Sequence, residues 1–253
     1  MIEVFGITHR GGVRKENQDE VRFDAPAGRE LLAAVLCDGM GGARAGGLAS
    51  SIAADAFMSH AANSLDETST PADIRAILTE AVDYANRRVY EKAFDDLSCM
   101  GMGSTLVALL VSGKRAFAAN VGDSRAYTLS RGRLKQVTRD HSLVEDMIAR
   151  GKLTREQART HPQRNIITRA VGVEATVTAD IFELKLQPDT RLLLCSDGLS
   201  GVVPESELLA LMQGNPTPQK ACEALLAAAL ERGAPDNVTV LVAQHGTPRS
   251  LEE

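Results

Sequence analysis

The chain has 253 residues, 44% hydrophobic and 24% charged, with aromatic residues scarce at 4% and no Trp. That is ordinary globular composition with material for one large, aliphatic, Ala-rich core. The net charge of -5 argues against a nucleic-acid surface, and no apolar run reaches the length of a membrane span or a signal sequence. Cys37, Cys99, Cys195 and Cys222 form no CxxC pair and read as free buried thiols.

In chain order, strand-like segments lie at 2–9, 30–37, 104–111, 115–121, 125–130, 133–138, 176–185, 191–195 and 238–244. The runs 31–37 and 106–111 are apolar without a break, which predicts strands buried on both faces. Ser130-Arg131-Gly132-Arg133 predicts a hairpin turn. Ala45, Leu48, Ala49, Ile52, Ala53, Ala56 and Phe57 form one helical stripe. Thr70-Pro71-Ala72-Asp73 opens the next helix, and Thr217-Pro218 opens a later one that Gly233 ends. Between them, 142–165 carries short polar helices, with a capping box at 154–157, and reads as a surface flap. Strands in blocks rather than βαβ alternation predict an α+β fold of packed sheets covered by helix pairs. Residues 1–245 are expected to form one catalytic domain and 246–253 a C-terminal tail.

The chemistry concentrates where strands end. Asp38 follows the apolar strand and precedes Gly39-Met40-Gly41-Gly42, so side chain and backbone carbonyl can face one hard cation together. Asp197 repeats the pattern in Cys195-Ser196-Asp197-Gly198, Asp123 lies between two strands, and Asp236 comes just before the last strand. A single Asp-Gly turn is commonplace, but four such acids in one cleft repel one another unless cations neutralise them. Arg14 and Asp19, in the segment 12–19, add a guanidinium suited to a phosphate dianion and a further acid.

Together these segments resemble the metal-dependent protein phosphatase family, also called protein phosphatase 2C. The likeness rests on Arg14 to Asp19, the Asp38 motif, Gly103-Ser104-Thr105, Gly122-Asp123-Ser124-Arg125, Asp140-His141-Ser142, 165–172, Ser196-Asp197-Gly198 and Asp236-Asn237. Met40 and the flap are similar to the bacterial branch. The resemblance implies a four-layer αββα sandwich of two antiparallel sheets flanked by helix pairs. It implies a protein serine/threonine phosphatase using Mn²⁺ or Mg²⁺, two ions and a third weaker one. Asp38 would bridge, the Gly39 carbonyl would bind one ion, and Asp197 and Asp236 would complete the other shell. Asp123 would hold the third ion, Asp19 and Asn237 would act behind the ligands, and Arg14 would grip the phosphate. Water would attack directly, with no phosphoenzyme. Met40 cannot donate a proton, which leaves His161 as the alternative acid.

The implied partners are phosphorylated proteins and an opposing serine/threonine kinase, with neither nucleic acid nor membrane, in a cytoplasmic monomer. A Cys-dependent phosphatase is excluded because Ala43 and Gly201 stand where Arg is required after Cys37 and Cys195. A nucleotide P-loop fails because Gly47-Leu48 replaces its Lys and Ser/Thr. The rival reading is a silent pseudophosphatase acting as a binding module, whose mark would be a lost metal ligand; every expected acid is present.

Overall fold

The computed structural model describes residues 1–41 and 45–246. Gly42, Ala43, Arg44 and all but the first residue of the expected tail lie outside the described residues. Among the described residues, eleven strands form two antiparallel sheets. The first contains β1 (Ile2–His9), β7 (Arg125–Ser130), β8 (Arg133–Gln136), β10 (Arg191–Cys195) and β11 (Val238–His245), in the order β1-β11-β10-β7-β8. The second contains β2 (Asp19–Asp24), β3 (Leu31–Met40), β5 (Leu106–Ser112), β6 (Arg115–Val121) and β9 (Asp180–Lys185), in the order β2-β3-β5-β6-β9. The short β4 (Gly103–Ser104) pairs with the end of β3.

Three apolar layers follow from this stacking. Leu32, Leu36, Leu109, Leu194 and Leu241 fill the space between the sheets. The outer face of the second sheet packs on α1 (Ala45–Ser64) and α2 (Pro71–Asp95), through Val35, Phe57, Leu78 and Phe117. The outer face of the first sheet packs on α6 (Glu205–Gly214) and α7 (Pro218–Glu231), with the one-turn α5 (Asp197–Ser200) beside them. The result is the expected αββα sandwich. Strands β3, β5 and β11 are almost wholly buried because each has an apolar layer on both faces, which is why their sequences do not alternate.

Local chemistry matches the sequence signals at the helix ends. Thr70 and Asp73 make a reciprocal capping box on α2, and Thr217 caps α7. Arg131 and Gly132 both have positive φ in the hairpin between β7 and β8, and Gly233 follows α7 at φ 85°. The flap folds as α3 (Leu143–Ala149), capped by Ser142, and α4 (Arg155–Arg159), opened by the Thr154–Gln157 capping box.

Two differences have clear causes. Strand β2 is absent from the sequence expectation because Asp19-Glu20-Val21-Arg22-Phe23-Asp24 is mostly charged. It forms as an edge strand paired only with β3, where Arg22 reaches Glu20 and Asp55. The segment expected as one strand over 104–111 breaks at Thr105, whose N–H bonds the Asp38 carbonyl while its hydroxyl accepts from the Asp38 N–H.

Asn86 is the buried polar hinge between α2 and the loop before β9. Its amide donates to the carbonyls of Glu174 and Ala175 and accepts from the N–H of Gly172. Asn86→Ala leaves three backbone groups unpaired and is expected to cost about 1–3 kcal/mol in urea unfolding. An unchanged midpoint would show that these bonds are replaced by water.

Candidate metal centre

The acids anticipated at strand ends meet at one edge of the sandwich, where each is fixed through its backbone. Asp38 sits opposite Asp19 in the β2–β3 register. Its N–H donates to the Thr105 hydroxyl at 2.9 Å and its carbonyl accepts from the Thr105 N–H at 2.8 Å and the Ser104 hydroxyl at 3.0 Å. Gly39 must be glycine: a Cβ there would stand 2.0 Å from the Gly46 carbonyl oxygen, where α1 begins. That close crossing sets the first turns of α1 beneath the site.

Asp197 begins α5, and the preceding Ser196 spends its hydroxyl on Asp19 at 2.8 Å. Thr239 donates to the same Asp19 oxygen at 2.7 Å, so two hydroxyls from the first sheet hold an acid of the second. Gly198 lies so close to β11 that a Cβ would come within 1.8 Å of the Asn237 carbonyl oxygen. Asn237 itself ties down the loop that carries Arg14: its amide donates to Arg10 and Glu16 carbonyls, and its oxygen accepts from the Gln18 N–H. Asp123 follows Gly122, a turn clamped by His141, whose N–H donates to the Gly122 carbonyl and whose Nδ1 accepts from the Gly122 N–H.

The electrostatics record how closely these groups approach. Burial pushes the Asp38 carboxyl well above the usual carboxylate range, and the charges of Asp19, Asp197, Asp123 and Asp236 raise it further. Asp123 is pushed up to about 8, by burial first and then by Asp197 and Asp140. Asp19 is pushed up to about 7 and Asp197 to about 6, again with burial leading. One oxygen each of Asp19 and Asp197 is buried without a hydrogen-bond partner. Both sets of facts describe carboxylates lacking a compensating cation.

Arg14 points into this group and donates to Asp236 at 2.7 Å. Among the described residues, no three or more His, Cys, Asp or Glu side chains stand close enough together to form a cation site by themselves. The donor set is nevertheless all oxygen, as hard cations require, and its orphaned oxygens fit such ions. Backbone carbonyl and water would have to fill the rest of the shells.

Beside the acids, a cleft of about 390 Å³ runs between the flap and residues 200–205, with Asp123 and Asp197 in its lining. His161 is not part of that lining; its Nδ1 accepts from the Gln163 N–H. The sequence reading assigned no role to two features of this wall. Arg125 grips Asp140 through Nε and Nη2 at 2.7–3.0 Å and also reaches the Tyr127 hydroxyl. Ser196 and Thr239, the donors to Asp19, were likewise unassigned. The motifs placed Arg125, Asp140 and Ser196 near the acids, but only the fold reveals their pairing. The cysteines stay out of the chemistry: Cys37 and Cys195 are fully buried, and burial pushes the Cys195 thiol up to about 12.

A sheet sandwich with a basic flap over an edge of clustered carboxylates defines a class, and comparison with known proteins agrees with it. The chain belongs to the protein phosphatase 2C family, whose model matches residues 8–236. It is 36% identical over 238 residues to the serine/threonine phosphatase stp of Listeria monocytogenes, across 94% of this chain and 93% of that protein. The crystal structure of the serine/threonine phosphatase Stp1 from Staphylococcus aureus superposes with a TM-score of 0.90 at 35% identity, covering 98% of this chain and 96% of that one. The catalytic domain of the phosphatase PstP, solved in complex with two manganese ions, superposes with a TM-score of 0.84 at 34% identity, covering 97% of this chain and 99% of that one. These matches make the chain a bacterial-type protein serine/threonine phosphatase. Among the described residues no helix is long and apolar enough to cross a membrane.

The raised carboxyls set the pH response of the metal-free protein. Each binds its proton more tightly folded than unfolded, so the stability they contribute is present at low pH and lost as pH rises through their folded values. The metal-free melting temperature is expected to fall between about pH 5 and about pH 8, and Mn²⁺ is expected to restore it. A metal-free melting temperature that stays level or climbs over that range would show that these acids do not share one field.

Proposed function

We propose that this phosphatase hydrolyses phosphoserine and phosphothreonine by direct attack of water at a centre of two divalent cations, Mn²⁺ or Mg²⁺, with a third held more weakly. The observation that supports it is the raised Asp38 carboxyl, buried and repelled by the charges of four other acids, Asp19, Asp197, Asp123 and Asp236. Asp38, the Gly39 carbonyl, Asp197 and Asp236 would hold the two core ions, and Asp123 the third. Asp19 and Asn237 would act from behind, Asp19 through water and Asn237 by fixing the loop that carries Arg14. When bound, such ions polarise water and offset charge on the phosphoryl oxygens.

The remaining work falls to the chain. Arg14, paired with Asp236 here, exchanges that partner for the phosphate, which it orients through a charged hydrogen bond. The buried, protonated thiols offer no nucleophile, in keeping with direct hydrolysis and no phosphoenzyme. A departing serine alkoxide needs a proton, and His161 delivers it only if the flap carries this residue to the acids. The physiological substrates are phosphoproteins, and the enzyme opposes a serine/threonine kinase as a cytoplasmic monomer. A silent binding module is disfavoured because Asp38, Asp123, Asp197 and Asp236 all gather at one edge.

Hydrolysis of a phosphothreonine peptide is expected to vanish with chelator and to return with Mn²⁺. Asp38→Asn or Asp197→Asn should abolish both turnover and the thermal stabilisation by metal. Asp123→Asn should keep most of the stabilisation while losing most of the turnover. Turnover that persists after verified metal removal would defeat this reading.

Two substrates separate Arg14 from His161. Arg14→Ala should raise KM for phosphopeptide and nitrophenyl phosphate alike, by the loss of a charged hydrogen bond of about 1.5–3 kcal/mol. His161→Ala should slow the peptide by about 10²-fold or more and leave the nitrophenyl ester nearly unchanged, because nitrophenolate leaves without a proton. Equal, small effects of His161→Ala on the two kcat values would transfer the acid role to water.

A further inference from the structure

The floor of the cleft beside the metal centre is acidic, but its flap wall is not. Residues 142–165 carry five basic side chains against three acidic ones, in a chain whose net charge is -5. Two of the five, Arg159 and Arg164, line the same cleft as Asp123 and Asp197. Their side chains have no hydrogen-bond or ion-pair partner among the described residues, and both residues are exposed. Arg155, also in the lining, differs in being within 3.5 Å of Glu145.

An exposed guanidinium with no internal partner is free to take a carboxylate or phosphate in a forked, bidentate contact. The reacting phosphate does not need these two, because Arg14 stands on the Asp236 side of the centre. A peptide that lies along this cleft with its phosphorylated residue at the acids brings the next residues against the flap wall, since consecutive residues advance only about 3.3–3.6 Å. Those neighbours therefore meet Arg159 and Arg164.

We propose that Arg159 and Arg164 read acidic side chains flanking the phosphorylated residue, so that acidic phosphopeptides are the preferred substrate class. This rests on the phosphatase reading above and adds its specificity. The contact is between exposed charges, so the preference is electrostatic and weakens with salt.

The test compares phosphothreonine peptides whose flanks are Asp/Glu, Ala/Gln or Lys, together with one carrying a second phosphate beside the first. At low ionic strength the acidic peptide should exceed the neutral one in kcat/KM by about three- to tenfold, chiefly through KM, and the lysine peptide should fall below both. A still larger gain for the doubly phosphorylated peptide would identify phosphate clusters rather than carboxylates as the better-read flank. Arg159→Gln with Arg164→Gln should erase the ranking while kcat/KM for nitrophenyl phosphate stays within about twofold, because that ester has no flanks to read. Fluorescence anisotropy of the same peptides reads the preference in binding even if turnover fails, so the specificity and the hydrolytic reading fail separately. Equal affinities and rates across the flanks, or a ranking that survives the double substitution, would overturn the proposal.

Discussion

Like-charge repulsion among carboxylates at one edge of the sandwich is the constraint around which the rest of the structure is arranged. Asp38, Asp19, Asp123 and Asp197 all carry raised carboxyls, with burial as the first cause and neighbouring carboxylates, Asp236 and Asp140 among them, adding to it. Such an arrangement persists where the scaffold forces it and protons or cations offset its charge. The scaffold does so by holding backbone rather than side chain. The Asp38 peptide groups are bonded to Thr105 and Ser104, Asp123 follows a turn clamped by His141, and Asp197 starts a helical turn. One oxygen each of Asp19 and Asp197 is left buried without a hydrogen-bond partner among the described residues.

The two sheets contribute unequally and are coupled at this edge. Asp38 and Asp19 come from the second sheet, Asp197 and Asp236 from the ends of strands in the first. Ser196 and Thr239 donate across the gap to Asp19, and Asn237 fastens the loop of Arg14. Close contacts that only glycine allows, at Gly39 and Gly198, bring the helical starts against neighbouring backbone. A cluster assembled from both sheets also monitors their packing: a shift of one layer over the other would separate the acids. The Arg14–Asp236 pair belongs to this coupling, because it partly neutralises an acid with a group suited to the substrate's own charge.

The flap supplies the opposite sign. Arg155, Arg159 and Arg164 line the same cleft as Asp123 and Asp197, and that space is where a phosphorylated segment would lie. The Arg125–Asp140 pair, outside the flap but in the same cleft lining, keeps one further charge of each sign satisfied within the chain. Arg159 and Arg164, which line the cleft and have no side-chain partner among the described residues, are left to read a substrate.

The sequence alone determined the layers, most of the helix ends and the identity of the acids. It could do so because these signals are local: unbroken apolar strands, a hydroxyl with Asp or Gln three residues on, and Asp-Gly at a strand end. It missed β2 because a charged edge strand is made by pairing with β3 rather than by its own pattern. The tertiary structure decided which side chains answer the acids. Thr239 lies 220 residues from the Asp19 it bonds, and Arg14 lies 222 from Asp236. It also placed His161 outside the cleft lining while putting Arg159 and Arg164 inside it, although all three share one short segment. Residue type and spacing fix which chemistry a chain can perform; how far apart those groups stand is set by the packing of distant layers, which no local pattern encodes.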